Sequence, residues 1–360
     1  MKPLLIDLET EWRGGQNQFL LTLRGLCARG HAAELVAPKD SALAKRASEL
    51  GVPMHITDRF LMRLQAAVAM RRLLSEGRFD VLHANEPHGL TAAWLAGVHR
   101  RVPIVVSRRV GYPLSRHPLS LARYRATRRI IAISRWVAEN VAAADLPQDR
   151  ISVVYEGVEI PSLPTAEERR RARERWGAKE ETQLLGCVGV FLPDKGQELL
   201  IRALTSVRGQ FPNCRLLLAG DGPLRPHLER LARELGLGDV VLFPGFVKDV
   251  EEVYMALDVF LFPSQFEGLG TSLLAAMSYG LPSIALDCCA FGEIIEQEKS
   301  GLLVSAPDVT EISLAITRIL GGAECAQRLG HGARQRVIQK FSAEKMVEAT
   351  LQVYGEVVQA

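Results

Sequence analysis

The chain has 360 residues, of which 48% are hydrophobic and 24% are charged. This length exceeds the usual single core, and the composition is ordinary for a globular protein, so we expect two domains. No apolar run approaches the ~20 residues of a membrane-spanning helix. The N-terminal stretch turns acidic at Asp7, which argues against a secretory signal. We therefore expect a cytoplasmic protein.

The six cysteines are scattered and include no C-x-x-C pair. This pattern is typical of buried or idle thiols in a reducing cytosol and argues against a metal site. The cysteines are Cys27, Cys187, Cys214, Cys288, Cys289 and Cys325.

The net charge of +3 conceals an asymmetry between the two halves of the chain. Residues 1–160 hold 23 Lys and Arg against 15 Asp and Glu, whereas the remainder holds 21 against 26. An arginine run with no acid lies between Glu86 and Glu139. It consists of Arg100, Arg101, Arg108, Arg109, Arg116, Arg123, Arg125, Arg128, Arg129 and Arg135.

The arginine run has two main interpretations. One is a solvated helix face that includes one or two ligand arginines. The other is a surface for anionic lipid headgroups or a phosphorylated acceptor, because basic residues near an anionic surface are attracted to it. Nucleic acid is disfavoured, since the run has no interleaved aromatic pattern and no known nucleic-acid module.

Short apolar strands alternate with helical stretches in the first half of the chain. Such alternation predicts an α/β fold with a parallel sheet covered on both faces. The predicted strands cover residues 4–7, 34–37, 80–83, 104–107 and 130–133, and predicted helices cover residues 18–28 and 41–50.

A linker with two prolines, Pro161 and Pro164, precedes a charged helix, and the strand pattern then restarts. The later strands are predicted at residues 184–190, 215–219, 240–243, 259–262 and 283–286, and a last helix at residues 342–358. We expect a first domain over residues 1–162, a second over 163–340, and a terminal helix over 341–360 that crosses back to the first. Two such domains would place a ligand cleft between the carboxyl ends of their sheets.

The stretch from Asp258 to Ala285 is the most informative part of the sequence. It predicts a strand, a loop with two glycines and a helix. The backbone N–H groups that open this helix form an anion site together with the helix dipole. They belong to Gly268, Leu269, Gly270 and Thr271. Because a carboxylate at Glu267 would repel a phosphate unless it held a sugar hydroxyl, the stretch predicts a nucleotide sugar as ligand.

Five motifs spread over nearly the whole chain resemble those of glycosyltransferase family 4. They are Trp12-Arg13-Gly14-Gly15-Gln16 with Gly30-His31, DVLHANEP at 80–87, PDKG at 193–196, LLLAGDGP at 216–223 with VVLFPGFVKDV at 240–250, and the 258–285 stretch extended by FGEII at 291–295 and GLLV at 301–304. Each motif alone is weak, whereas five in this order and spacing are specific. The resemblance implies the GT-B architecture, in which two Rossmann-like, doubly wound parallel-sheet domains face each other across a cleft.

The resemblance also implies an activity. It implies transfer of a sugar from a nucleotide-diphosphate donor with retention of configuration, without a metal and with no cofactor besides the donor substrate. The sequence is consistent with metal independence, because it contains no Asp-x-Asp pair. The donor would bind to the second domain. A lipid-linked or saccharide acceptor of the cell envelope, as in lipopolysaccharide synthesis, would bind largely to the basic first domain, which would face the inner side of the membrane.

Other functions stay open at this point. A catalytically silent GT-B protein that binds a nucleotide sugar or a partner transferase is the main alternative. Another GT-B reaction class, such as a nucleotide-sugar epimerase, is a further one. A dinucleotide oxidoreductase is disfavoured because no G-x-G-x-x-G follows the first strand.

The family motifs assign roles to individual residues. Lys195 matches the lysine that holds the donor diphosphate, where a point charge suits a growing negative charge. Glu267 matches the carboxylate that accepts hydrogen bonds from the sugar. Gly14 and Gly15 would let the backbone approach the diphosphate. The structural alternatives are an exposed loop lysine, a carboxylate at a helix N-terminus and a plain helix-entry turn.

Two further pairs carry weaker expectations. Phe246 and Val247 follow the Pro244-Gly245 turn and would flank the nucleotide base, with core packing as the alternative. Asp221 and Gly222 would border the donor site at the end of a strand, with a structural turn as the alternative.

Three positions depart from the family pattern. Asn85 stands where the family often has a histidine near the reacting carbon, and an amide can donate and accept but cannot titrate. Ala275 replaces a glutamate that usually holds the ribose, and Val190 replaces an arginine. Arg108 or Arg109 would supply the missing positive charge or bind an acceptor phosphate.

Overall fold

The computed structural model describes residues 1–58, 61–77, 79–305 and 307–359. They form two compact units. The first unit contains Met1–Gly157 and Ala343–Ala360, and the second contains Val158–Ser342. The sequence had placed the two boundaries after residues 162 and 340. The structure places the first boundary earlier because the Val158 N–H donates to Phe341 O (2.9 Å) inside the second unit.

The first unit is built on a seven-stranded parallel sheet. Its strands are β1 (Pro3–Ile6), β2 (Glu34–Pro38), β3 (Met54–Thr57), β4 (Val81–Ala84), β5 (Ile104–Arg108), β6 (Arg129–Ala132) and β7 (Ile151–Val153). Their order in the sheet is β3-β2-β1-β4-β5-β6-β7. The order reverses between β1 and β4, where Leu4 is in register with Leu82. Such a reversal opens a crevice at the carboxyl edge of a doubly wound sheet.

The helices of the first unit connect these strands. They are α1 (Gly14–Ala28), α2 (Ala42–Ala47), α3 (Met62–Glu76), α4 (Pro87–Leu95), α5 (Pro118–Arg125), α6 (Arg135–Ala142) and the C-terminal α15 (Ala343–Gln359). Helices α1 and α15 pack closely at Gly25, where a Cβ atom would lie 2.5 Å from Val347 Cγ2. Tyr354 then reaches the buried His83, with 2.6 Å between the hydroxyl and Nδ1. The last helix is therefore part of the first unit.

The second unit repeats the architecture with six parallel strands. They are β8 (Gln183–Val188), β9 (Cys214–Ala219), β10 (Val241–Gly245), β11 (Val259–Phe262), β12 (Ser283–Leu286) and β13 (Leu302–Val304), in the order β10-β9-β8-β11-β12-β13. The helices are α7 (Ala166–Arg175), α8 (Gln197–Gln210), α9 (Arg225–Glu234), α10 (Glu251–Ala256), α11 (Thr271–Ser278), α12 (Phe291–Ile294), α13 (Val309–Gly321) and α14 (Ala323–Lys340). Both sheets are parallel and covered by helices, which confirms the predicted fold class.

Three strands escaped the sequence prediction. Strands β3, β7 and β13 have only three or four residues and lie at sheet edges, where pairing on one side suffices. Short strands carry little periodicity, so the pattern could not show them. The helix predicted over residues 41–50 is shorter than expected, because α2 ends at Ala47 and a 3₁₀ turn covers Ser48–Leu50.

No helix among the described residues combines the length and the apolar character needed to cross a bilayer.

Candidate active site

Lys195 lies at the carboxyl edge of the second sheet. It ends a 3₁₀ turn, Pro193–Lys195, that follows β8. Gly196 comes next with φ of 67°, and a Cβ atom there would lie 2.4 Å from Pro263 O. Glycine is required because this turn packs directly against the backbone that follows β11. The turn thus brings Lys195 to the loop that carries Glu267.

The Lys195 ammonium is held by three oxygen atoms. Its Nζ lies 2.8 Å from Glu267 Oε1, 3.1 Å from Asp194 Oδ2 and 3.1 Å from Phe266 O. The Ser264 hydroxyl donates weakly to the same Glu267 Oε1 (3.4 Å). We call Asp194, Lys195, Ser264 and Glu267 the lysine cluster. The structure brings together the two residues predicted for diphosphate and sugar binding.

Lys195 keeps its positive charge despite partial burial. Burial lowers the pKa of Lys195, but the carboxylates of Glu267 and Asp194 more than offset this, so the pKa is raised above its ordinary value. Lys195 is therefore a fixed cation at neutral pH. A fixed cation beside a loop of backbone N–H groups is suited to an anionic ligand.

Helix α11 begins beside the lysine cluster. Its N-cap is Gly270, with φ of 114°, and a Cβ atom there would lie 3.1 Å from Phe262 Cε1. The N–H groups of Leu273 and Leu274 donate to Gly270 O (3.1 and 3.2 Å). Thr271 is the first residue of α11, so its N–H belongs to the opening turn, whose donors have no partner within the helix. Gly268 and Leu269 lie before the N-cap, in the loop that leads to the helix, and not in its first turn as the sequence predicted. Gly268, Leu269 and Gly270 are buried, and Thr271 is half-buried.

Asp221, Gly222, Phe246 and Val247 lie at the carboxyl ends of β9 and β10. Phe246 is 83% exposed, which excludes core packing for this side chain, and Val247 is half-buried. The Asp221 carboxylate accepts the Gly222 N–H (2.8 Å) and pairs with Arg225 (3.1 Å). Asp221 therefore has the structural role in its turn that the sequence left as an alternative. A role at the border of a donor site stays a prediction.

In the first unit, Gly14 and Gly15 are the first residues of α1. Gly15 is close to an arginine, since a Cβ atom there would lie 3.2 Å from Arg109 Cδ. Glycine at this position lets the Arg109 side chain cross the start of the helix. A role of Gly14 and Gly15 in binding a diphosphate stays a prediction.

Asn85 is part of a buried hydrogen-bond network. Its Nδ2 donates to Asp7 Oδ2 (2.5 Å) and to Gly15 O (3.2 Å), and its Oδ1 accepts from Arg109 Nε (2.7 Å). Arg109 also pairs with Glu156 (3.0 Å), and Gln16 donates to Asp7 (3.0 Å). We call Asp7, Gln16, Asn85, Arg109 and Glu156 the arginine network.

The structure argues against a catalytic role for Asn85 near the reacting carbon, the position that the family's histidine implies. Asn85 is 1% exposed, and both ends of its amide are engaged inside the first unit. The amide therefore holds Arg109 and the start of α1 in place. These three hydrogen bonds also explain the residue type, since a neutral imidazole cannot donate to two acceptors and accept from one donor at once.

Arg108 and Arg109 have different environments. Arg109 is compensated by Glu156, whereas Arg108 is 9% exposed, donates through Nη2 to Tyr112 O (2.5 Å) and has an Nε atom without a hydrogen-bond partner. Both guanidinium groups are thus largely buried within the first unit, and a role towards an anion stays a prediction for either arginine.

Asp7 of the arginine network lies near a second buried carboxyl group, that of Glu86. Burial raises the pKa of Asp7, against hydrogen bonds from Asn85 and Gln16 that lower it. Burial and then the neighbouring Asp7 raise the pKa of Glu86 to about 7. Glu86 caps α4, because its carboxylate accepts the N–H groups of His88 and Gly89.

Glu9, Glu86 and His88 bring one possible metal-ligand atom each within 4.8 Å of one another. The surroundings do not suit a cation. The Glu86 carboxylate is occupied by backbone N–H groups, and the Arg63 guanidinium donates to His88 Nδ1 (2.5 Å). The cluster gives no support to a metal.

The arginine run does not form one surface. Arg100 and Arg101 precede β5, and Arg125 and Arg128 precede β6, so these four lie at the amino edge of the sheet. The run also contributes Arg108, Arg109, Arg116 and Arg135 to the opposite, carboxyl edge. Because the strands are parallel, residues that precede a strand lie at one edge of the sheet and residues that follow a strand lie at the other edge. The arginines that cluster in the sequence therefore form two separate groups in space.

Several residues of the site were not singled out from the sequence. Asp194 adjoins Lys195 in the PDKG motif, so its position was visible there. Gln16 likewise ends the glycine motif at residues 12–16. Asp7 and Glu156 had no such signal, because packing alone brings together residues 149 positions apart.

Comparison with known families agrees with this arrangement. Residues 12–160 match the profile described as Glycosyltransferase Family 4, and residues 168–336 match the profile described as Glycosyl transferases group 1. The chain belongs to glycosyltransferase family 4. The two matches cover both units, so family membership extends over nearly the whole glycosyltransferase.

Among the curated relatives of this family 4 member is the GDP-mannose-dependent alpha-(1-6)-phosphatidylinositol monomannoside mannosyltransferase of Mycolicibacterium smegmatis. It is 29% identical over 355 residues, which cover 91% of each chain. An uncharacterized glycosyltransferase of Methanocaldococcus jannaschii is 29% identical over 232 residues. That alignment covers 63% of this chain and 59% of the relative.

Solved structures support the fold of the family 4 member. Alr3699/HepE of Anabaena, in complex with UDP and glucose, superimposes with a TM-score of 0.85 over 99% of both chains at 20% sequence identity. At this identity the similarity shows the fold alone. The chain therefore has the GT-B fold, as the sequence predicted.

Proposed function

We propose that this glycosyltransferase moves a sugar from a nucleotide-diphosphate donor, with retention of configuration and without a metal, to a lipid-linked or saccharide acceptor of the cell envelope. The observation that carries the proposal is the lysine cluster beside the N-terminus of α11. It combines a fixed cation, a carboxylate and a turn of backbone N–H groups. These are the partners that a diphosphate and a sugar hydroxyl require.

Binding would exchange partners within the lysine cluster. A diphosphate oxygen takes the place of one carboxylate on Lys195, and the N–H groups at the start of α11 take the remaining phosphate charge. Glu267 is then released to accept hydrogen bonds from sugar hydroxyls. Lys195 keeps a charged partner and Glu267 gains hydroxyl donors, so the exchange leaves neither group without a polar partner.

The chemical step needs support for the leaving diphosphate. As the bond to the sugar breaks, negative charge grows on the diphosphate, and Lys195 and the helix N-terminus stabilise it in place of a metal. The leaving diphosphate would itself take the proton of the acceptor hydroxyl that attacks on the same face. Such a mechanism asks neither for a carboxylate nucleophile nor for a histidine base, and therefore tolerates Asn85.

The acceptor is proposed from two observations. The mycobacterial relative is named for a phosphatidylinositol-based acceptor, and the alignment spans nearly the full length of both chains. The first unit is basic, with Arg108 and its neighbours at the carboxyl edge of the sheet. We place the protein in the cytoplasm, at the inner face of the membrane, where an anionic lipid-linked acceptor would meet this edge.

A silent binding protein is the second candidate. Asn85 is confined to the arginine network, and Ala275 offers a methyl group where the family usually has a carboxylate for the ribose. Loss of a charged hydrogen bond typically costs about 1.5–3 kcal/mol. The protein would then still bind a donor, with lower affinity, but would not turn it over.

A screen of nucleotide sugars that differ in base and sugar separates the two candidates. The purified protein is followed by thermal shift and by mass spectrometry, with and without a membrane extract as acceptor. One donor should raise the melting temperature and slowly release nucleoside diphosphate. Stabilisation without release, even with the extract, would favour the silent protein instead.

The finer parts of the proposal have their own tests. Turnover should survive treatment with EDTA, whereas restoration of lost activity by a divalent cation would contradict metal independence.

The anomeric proton coupling of the product in NMR should match that of the donor sugar. An inverted product would contradict the retaining mechanism.

A further inference from the structure

Two neighbouring thiols lie against the loop that carries Glu267. Cys288 and Cys289 follow β12, and both are half-buried. Cys289 has φ of 52°, in the left-handed region that residues other than glycine rarely adopt. In this turn both thiols donate to one acceptor, Gln265 O, at 3.8 Å from Cys288 Sγ and 3.4 Å from Cys289 Sγ.

Gln265 links the thiols to the lysine cluster. Its N–H donates to Asp194 O (2.7 Å), beside Lys195, and its carbonyl accepts from the thiols. Glu267 lies two residues further along the same loop. Cys288 also donates to Ser264 O (3.8 Å). A chemical change at the two sulfur atoms therefore acts on the backbone that positions both Lys195 and Glu267.

The environment of Cys289 favours the reactive thiolate. A hydrogen bond from the Cys288 thiol, the backbone N–H of Glu267 and the charge of Lys195 lower the pKa of Cys289 and outweigh burial and the Glu267 carboxylate, which raise it. The same hydrogen bond and burial raise the pKa of Cys288, so Cys289 is the thiol that ionises first. By contrast, burial raises the pKa of Cys187 and of Cys214 to about 12. Thiolates react with oxidants and buried thiols do not, so oxidation is directed to the Cys288–Cys289 pair.

We propose that Cys288 and Cys289 form an oxidation site through which a peroxide weakens donor binding at the lysine cluster. The inference rests on the proposed function of that cluster. The Cys289 thiolate attacks one peroxide oxygen, the O–O bond breaks, and hydroxide leaves as water after protonation. The Cys288 sulfur then attacks the Cys289 sulfenic sulfur and releases a second water. The two thiols lose two electrons and two protons, and the peroxide is reduced to water.

Oxidation changes the loop because a disulfide carries no S–H group. Gln265 O then loses the S–H donor of Cys288, the thiol that stays protonated beside the Cys289 thiolate. The Cα atoms of adjacent residues are about 3.8 Å apart, less than the roughly 4.4–6.8 Å of most disulfides, so the turn must rearrange to close the bond. A strained disulfide is also readily reduced. Donor binding should therefore weaken by about tenfold or more and recover with a thiol reductant.

The test uses the full chain treated with hydrogen peroxide, then with dithiothreitol. Tryptic digestion gives a peptide over residues 249–299 that contains Cys288 and Cys289 and no other cysteine. Mass spectrometry without reduction should show the loss of two hydrogens in this peptide. Calorimetry with a nucleoside diphosphate measures affinity before oxidation, after it and after reduction. Cys289→Ser should abolish both changes, and Cys325→Ser, at another half-buried thiol, should keep them.

The outcomes separate this inference from the proposed function. If the untreated protein binds the nucleoside diphosphate and oxidation leaves the affinity unchanged, or leaves the pair reduced, the inference is overturned. If the untreated protein binds no nucleoside diphosphate, the donor assignment fails, and the proposed control of binding fails with it. The mass of the peptide then still shows whether the pair is the oxidised site.

Discussion

The lysine cluster and the arginine network occupy equivalent places, at the carboxyl edges of two parallel sheets, but they differ in how deeply their side chains are buried. In the lysine cluster a cation is shared by two carboxylates at the surface of a glycine-rich turn, and the exposed Phe246 lies at the same edge. The side chains of both regions are bonded to one another, but the arginine network is more deeply buried. The Arg109 and Glu156 side chains are 13% and 7% exposed, whereas those of Asp194 and Glu267 are 36% and 28% exposed. A matching sequence motif therefore becomes a binding group only where packing leaves it accessible.

The largest expected effect concerns the arginine network. Arg109→Ala removes one partner of an ion pair whose side chains are 13% and 7% exposed. Breaking a buried pair leaves a charge without compensation, so the free energy of unfolding should fall by about 3–5 kcal/mol. Urea denaturation followed by tryptophan fluorescence measures this, since Trp12, Trp94 and Trp136 lie in the first unit.

Arg72→Ala is the matched control for that measurement. Arg72 pairs with Glu76 on an exposed helix face, and such pairs contribute little. Equal effects of the two substitutions would contradict the structural role of the arginine network.

Lys195→Ala tests the predicted role of the lysine cluster in donor turnover. The substitution should lower turnover by about a hundredfold to a thousandfold, as expected for a preorganised cation that stabilises leaving-group charge. The melting temperature should fall less than in Arg109→Ala, because the Asp194 and Glu267 carboxylates left behind are 36% and 28% exposed and stay in contact with water. Release of nucleoside diphosphate under donor saturation measures turnover. Lys299→Ala, at an exposed lysine of the same unit, should retain activity, and a joint loss would argue for a non-specific charge effect.

The two regions should also differ in their response to pH. The raised pKa of Glu86 means that its contribution to stability is fully present below about pH 4.5 and is lost as pH rises through about 7. The first unit should therefore lose about 1–3 kcal/mol over this interval. Glu86→Gln keeps an acceptor oxygen without the titration and should flatten the profile. An unchanged slope in this variant would assign the pH dependence to other groups.

The smallest expected effect concerns Ala275, which stands where the family pattern has a glutamate. A carboxylate there would restore a hydrogen bond to the ribose, so Ala275→Glu should bind a nucleoside diphosphate about tenfold more tightly. Ala275→Gln is the control of similar shape without the charge. Calorimetry of the two variants compares them directly, and equal or weaker binding by the glutamate would show that the ribose does not lie beside α11.

The sequence predicts the lysine cluster better than the arginine network, because the two regions differ in how far apart their residues lie along the chain. Lys195, Glu267 and Gly270 could be predicted because each sits in a short motif at the end of a strand, where local spacing fixes the backbone. Arg109 and Glu156 are 47 residues apart, and only tertiary packing makes them partners. The placement of the arginine run could not be predicted for the same reason, since parallel strands send its members to opposite edges of the sheet. Its role towards an anionic surface stays a prediction.

The central claim is that the lysine cluster binds the donor diphosphate. Isothermal titration calorimetry of the unmodified protein, Lys195→Ala and Lys299→Ala with a nucleoside diphosphate tests it most directly. We predict saturable binding to the unmodified protein and to Lys299→Ala, and an affinity at least about tenfold weaker for Lys195→Ala. Equal affinity of Lys195→Ala and the unmodified protein would contradict the claim and place the diphosphate elsewhere.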